Sequence, residues 1–193
     1  TCHLSYFYQN PEIRQFDHID SDDFDNVPFL LLQLLYESQN TALCQFLCNL
    51  PQLKILHLIM DKPTIPTFDN ACYTDKCTEL EKCIEINSTL QEMKIKYSEK
   101  NETINAIISV IRGVTRNKTI TSLTIHVDHY YGTAPPPPPP LPDGIIEQLL
   151  KDNNTLQALS LKISDELIPT SLNIVNIVEM NTPLTALKLK SIG

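Results

Sequence analysis

The sequence predicts an α/β solenoid, a single row of strand–helix units with short parallel strands on a concave face and helices on a convex one. Three observations predict it. A six-residue apolar phrase of one pattern occurs five times, an asparagine stands three residues before four of the copies, and a stretch with helical apolar spacing precedes each copy. One such unit cannot cover its own apolar face, so neighbours must stack to build a continuous core. Independent βαβ units in a doubly wound sheet would show neither the repeated phrase nor the shared asparagine.

Residues 1–40 lie outside the pattern and are expected to be an N-terminal flank or the end of a preceding helical or repeat unit. Their acidic stretch His-Ile-Asp-Ser-Asp-Asp-Phe-Asp-Asn, residues 18–26, lacks the glycine and terminal glutamate of a calcium-binding EF-hand loop. It is expected to cap a helix that starts at Val27, because the apolar run from Pro28 to Tyr36 has the length of a buried helix. The chain opens on Thr1 with no signal-like segment, so it reads as an excised piece.

Repeats are expected over residues 41–193. The phrases are Leu53-x-x-Leu56-x-Leu58, Leu90-x-x-Met93-x-Ile95, Ile120-x-x-Leu123-x-Ile125, Leu156-x-x-Leu159-x-Leu161 and Leu184-x-x-Leu187-x-Leu189. Alternation within each phrase predicts a strand with one buried face. The helical stretches are Leu43–Leu47, Leu80–Ile86, Ile104–Val114, Ile145–Leu150 and Ser171–Met180. The asparagines Asn87, Asn117, Asn153 and Asn181 follow the helices, where asparagine tolerates a left-handed conformation. Intervals between the first apolar residues are 37, 30, 36 and 28. The 36-residue interval contains the eight-residue string Pro-Pro-Pro-Pro-Pro-Pro-Leu-Pro, residues 135–142, and without it 28 remain. A similar excess in the first interval falls at residues 62–70. The unit is therefore about 28 residues with two loop insertions.

The pattern resembles the leucine-rich repeat, in the subtype of ribonuclease inhibitor and of the repeat regions of NACHT-type receptors. The resemblance covers roughly residues 41–193. It implies a scaffold that binds proteins through variable surface residues. In that family an asparagine or cysteine follows the last leucine by three residues, and here the place holds Asp61, Ser98, Asp128, Ser164 and Ile192. Aspartate and serine bond local backbone in a similar way; Ile192 does not.

Little in the chain points to chemistry. Its four glycines form no nucleotide-binding loop, and it has no nucleophile elbow and no zinc-protease motif. His126 and His129 are three apart on a strand and so face opposite sides. We expect no catalytic residue, no metal and no cofactor. A net charge of −8 argues against non-specific nucleic-acid binding, and no apolar run reaches the roughly 20 residues needed to span a bilayer. The spacings of Cys2, Cys44, Cys48, Cys72, Cys77 and Cys83 match no zinc knuckle, which favours buried thiols, with disulfides as the alternative. Three of four glycosylation sequons, at Asn87, Asn117 and Asn153 but not Asn101, coincide with the repeat's own phrase.

Function is then expected on two surfaces. The strand positions that alternate with the leucines form the concave face, and fifteen of them include Lys94, Lys96, Lys162, Lys188 and Lys190 against one acid, Glu92. Together with His57, Thr124, His126 and Ser160 they are the candidate site for a protein partner, an acidic one. The plainer alternative is that lysine keeps an exposed sheet in solution. The second surface is Pro135, Pro136, Pro137, Pro138, Pro139, Pro140, Leu141 and Pro142. Six consecutive prolines hold a polyproline II helix, and the string resembles ligands of profilin, WW and Src-homology-type domains. The expectation is a non-catalytic recognition scaffold, the sensing or regulatory repeat region of a larger cytoplasmic receptor. The alternatives are a cytoskeletal or adaptor scaffold whose proline loop recruits a proline-binding domain, and a secreted or cell-surface module.

Overall fold

The computed structural model describes the backbone of residues 4–7, 14–16 and 29–34, and residues 50, 52–60, 73–98, 104–128, 140–164, 168 and 183–192. Eight strands form one sheet in the order β2-β1-β3-β4-β5-β6-β7-β8. They are β1 (Leu4–Phe7), β2 (Arg14–Phe16), β3 (Phe29–Leu34), β4 (Ile55–Met60), β5 (Glu92–Ser98), β6 (Ser122–Asp128), β7 (Ala158–Ser164) and β8 (Ala186–Ile192). Strands β3 to β8 are all parallel and adjacent in chain order, while β1 pairs antiparallel with both β2 and β3. Among the described residues three helices connect the strands: α1 (Tyr73–Ile86) between β4 and β5, α2 (Ile104–Arg116) between β5 and β6, and α3 (Ile145–Asp152) between β6 and β7.

One face of the sheet is buried. Leu56, Leu58, Met93, Ile95, Leu123, Ile125, Leu159 and Leu161 are at most 3% exposed, and so are the leading residues Leu53, Leu90, Ile120 and Leu156. The helices meet them with one stripe each. In α2 the buried residues Ala106, Ile107, Val110, Ile111 and Val114 recur every three or four positions, so they share a face. α1 packs on α2 and α2 on α3, which makes one helical layer over one side of the parallel strands. The core is continuous from Leu50 to Ile163, with Leu184, Leu187 and Leu189 packed partly buried against it.

Successive units join by the same bonds. The amides of Gln91 and Glu92 both donate to Lys54 O, those of Thr121 and Ser122 to Gln91 O, those of Gln157 and Ala158 to Thr121 O, and those of Thr185 and Ala186 to Gln157 O. Each strand thus enters the sheet by the contact its predecessor used. The asparagines repeat as strictly. Asn117 Oδ1 accepts from the amides of Thr119 (2.8 Å) and Ile120 (2.7 Å) and from the Thr119 hydroxyl (3.1 Å). Its Nδ2 donates to Ile84 O and Asn87 O of the preceding unit, both at 2.7 Å. Asn153 does the same one unit later, accepting from Thr155 and Leu156 and donating to Val114 O and Asn117 O. Asn87 accepts equivalently from Thr89 and Leu90.

This revises the expected reason for the asparagine. Asn153 is extended, at φ −91° and ψ 122°, not left-handed. Its side chain closes the helix-to-strand turn and ties it to the unit before. It also bears on the sequons. Asn117 and Asn153 are 0% and 1% exposed, and both spend Nδ2 inside the protein. A glycan on that nitrogen removes a donor and has no room. Peptide mapping of the folded chain expressed through a secretory pathway is therefore expected to find both asparagines unmodified; a glycan on either in folded, monodisperse protein would overturn the assignment.

The expected helix from Val27 is not formed. Residues 29–34 are strand β3, in parallel register with β4 from Phe29↔Ile55 to Leu34↔Met60. A short apolar run has no period of its own that separates strand from helix, and pairing along β4 decides it. The three strands from residues 1–40 thus extend the same sheet that β4 to β8 build. The helices Ile104–Val114, Ile145–Leu150 and Leu80–Ile86 form as expected, the last extended back to Tyr73. Cys83 is buried, 4% exposed. The stretches Leu43–Leu47 and Ser171–Met180, Asn101, Asn181, His129, the acidic turn at 18–26, the insertion at 62–70, and Cys2, Cys44, Cys48 and Cys72 lie outside the described residues. Among the described residues no helix is long and apolar enough to cross a membrane.

Candidate functional site

The face opposite the helices carries the residues singled out from the sequence. Parallel register sorts them into rows that run across the strands. One row is Ile55, Glu92, Ser122, Ala158 and Ala186; the next is His57, Lys94, Thr124, Ser160 and Lys188; the third is Ile59, Lys96, His126, Lys162 and Lys190. Adjacent members stand on strands about 4.8 Å apart. Burial alternates along each strand as two faces require: Lys94 and Lys96 are exposed where Met93 and Ile95 are buried, and Lys188 and Lys190 are exposed beside half-buried Leu187 and Leu189.

The third row is the unusual one. Lys96, His126, Lys162 and Lys190 are in register on four neighbouring strands. Like charges directly opposite each other destabilise a sheet by a few tenths of a kcal/mol up to about 1 kcal/mol per pair. Lys162 and Lys190 are such a pair, whereas His126 stands between Lys96 and Lys162, and Lys162 Nζ donates to His126 Nε2 at 2.6 Å. An ammonium has no lone pair, so the ring nitrogen in this contact is the unprotonated acceptor. The second contact across the face joins His57 Nε2 and Glu92 Oε1 at 3.5 Å, at the end nearer β3. It turns Glu92 toward a histidine and away from the lysines on β8. The register rows and the His126–Lys162 contact were not read from sequence; strand alignment alone supplies them, because the repeats place position-equivalent residues side by side.

The proline segment divides. Pro135 to Pro139 lie outside the described residues, and Pro140 and Pro142 are exposed. Leu141, grouped with them by sequence, is 2% exposed and belongs to the core. A leucine between prolines is apolar enough to be drawn under the helix that follows, which removes it from any proline-docking surface. The segment then closes on α3: the Ile145 amide donates to Pro142 O (3.2 Å), and Gly144 takes φ +79°, a value that suits glycine.

Chemically the face offers cations, hydroxyls and two histidines, each in contact with a charged neighbour. Among the described residues no cluster of three or more His, Cys, Asp or Glu side chains gathers as a metal site would require. No family model matches the chain, and no curated protein matches it significantly.

Proposed function

We propose that the chain is a leucine-rich-repeat solenoid that acts as a non-catalytic recognition scaffold, with the open, concave side of its sheet as the site for an acidic protein partner. The identical backbone and asparagine bonds between successive units support the repeat architecture. The observation that carries the function is the row Lys96, His126, Lys162 and Lys190, set in register on the face opposite the described helices, in a chain whose net charge is −8. A protein with 23 acids and 15 Lys and Arg that aligns its lysines on one sheet face offers an acidic partner a local field opposite to its own average. Such complementarity speeds encounter and selects partners more than it adds affinity. By resemblance the scaffold is the sensing or regulatory repeat region of a larger intracellular receptor.

The test is charge reversal at Lys162→Glu together with Lys188→Glu. Proteins captured from cell lysate by the unaltered chain and identified by mass spectrometry are expected to be acidic and to lose at least tenfold in affinity for the variant at an unchanged melting temperature. Equal binding by both would reject the basic face as the site. Deleting Pro135 to Pro139 in parallel, sparing buried Leu141, assigns to the proline segment any partner that disappears with it.

A further inference from the structure

We propose that the open face holds a trough shaped for one kind of occupant, an extended run of consecutive acidic residues lying along the strands rather than across them; this rests on the basic face being the recognition site. The trough is two strands wide. Its floor is β6 and β7, where Thr124 and Ser160 stand side by side with only Ser122 and Ala158 before them in the preceding row. Its walls are Lys94 and Lys96 on β5 and Lys188 and Lys190 on β8, all four exposed. Between Lys94 and Lys188 the middle holds only the small Thr124 and Ser160, which gives a channel there, whereas between Lys96 and Lys190 it holds His126 and Lys162, which close it.

One end of the channel is fixed. Lys162 is the one lysine on the floor strands of the face, and its bond to His126 Nε2 at 2.6 Å keeps it half-buried beside its neighbour at the carboxyl end of the strands. The opposite end is the row of Glu92, Ser122, Ala158 and Ala186, which carries no cation. The cations therefore sit in the second and third rows, between that row and the last register position, where Ser98 stands opposite Asp128.

The dimensions select the occupant. Lys94 and Lys96 are two residues apart on one strand, as are Lys188 and Lys190, which separates wall cations by about 6.7 Å. An extended peptide repeats its side chains on one side with the same period. The walls stand three strand spacings apart, about 14 Å. A segment lying down the middle sends residues i and i+2 to one wall and i+1 and i+3 to the other, so four consecutive carboxylates meet four ammonium groups. The Thr124 and Ser160 hydroxyls beneath are placed to bond its backbone. A segment crossing the strands would find the third-row cations Lys96, Lys162 and Lys190 at unequal spacings of about 9.6 and 4.8 Å, neither of which matches the extended side-chain period of about 6.7 Å.

Two end-capped peptides of equal charge test this by titration calorimetry with the 193-residue chain: one with four consecutive glutamates, one with four glutamates each separated by two glycines. The consecutive run is expected to bind at least tenfold tighter. The reversal Lys94→Glu with Lys188→Glu, one on each wall, is expected to abolish that preference, whereas Lys151→Glu on exposed α3 leaves it intact. Ser160→Phe fills the floor without changing charge and is expected to reduce binding of the consecutive run at least tenfold, with far-ultraviolet circular dichroism confirming the fold. Equal binding of the two peptides, both weakened by the wall reversal, overturns the trough and leaves the basic face standing. No binding of either peptide overturns both.

Discussion

Asn117→Ala is expected to lower the unfolding free energy by about 3–5 kcal/mol, since several buried polar groups lose their partner and each unsatisfied one costs about 1–3 kcal/mol. The side chain is 0% exposed. Its loss strips the amides of Thr119 and Ile120 of their acceptor and the carbonyls of Ile84 and Asn87 of a donor. Water cannot replace it without opening the contact between two units. Asn117→Asp separates the two halves of the role. The carboxylate keeps an acceptor for the turn but faces two carbonyl oxygens without a proton to give, so it is expected to be at least as damaging as alanine. Thr119→Val, which removes a half-buried hydroxyl bonded to Asn117 Oδ1 and Asn87 O, should cost no more than about 1 kcal/mol, as for one ordinary hydrogen bond. Urea titration reads all three. An alanine variant within 1 kcal/mol of the parent, at unchanged m-value, would mean that the asparagine ladder is not what joins the units.

The ladder also marks how much of the fold was legible. The five phrases gave the strands β4 to β8, because alternation of buried and exposed residues is a local property of a pleated strand. The asparagine was visible as a recurring letter, yet its mechanism was not, since the bonds of Asn153 to Val114 O and Asn117 O span 39 and 36 residues. Strand β3 was misread as a helix although its signal was present. Val27-x-x-Leu30-x-Leu32 is the same phrase with valine in the first place, and Leu30 and Leu32 stand in register with Leu56 and Leu58. The proline after Val27 and the unbroken leucines hid it. For the candidate site, the sequence told which residues share the open face; their grouping into two walls and a floor came only with register, which side-by-side units impose and no single unit contains.

Gly113→Val is expected to cost about 3 kcal/mol or more, at the upper end of what overpacking a core does. Gly113 lies in the interior of α2, where glycine is about 1 kcal/mol worse than alanine. What holds it there is the approach of α1. A Cβ at this position would stand 2.8 Å from the backbone oxygen of Glu81 and 2.8 Å from Ile84 Cβ, and a backbone carbonyl cannot swing aside as a side-chain tip can. Gly113→Ala therefore trades a propensity gain against a clash and is expected to lose about 1–2 kcal/mol net; valine adds two methyls to the same gap. The ion pairs at this crossing do not compensate. Arg116 donates to Glu81 (2.6 Å) and Glu85 (3.3 Å), contacts that raise its pKa above the usual guanidinium range, but the side chain is 54% exposed, and such pairs contribute at most about 1 kcal/mol. The consequence reaches the asparagine. Ile84, which valine would push away, supplies the carbonyl that Asn117 Nδ2 bonds at 2.7 Å. Separating the helices stretches that bond, so Gly113→Val has already spent part of what Asn117→Ala removes. The double variant is accordingly expected to fall short of the sum of the two single losses by more than about 0.5 kcal/mol, the threshold above which residues count as coupled. Strict additivity would show that the helix crossing and the asparagine ladder stabilise the stack independently.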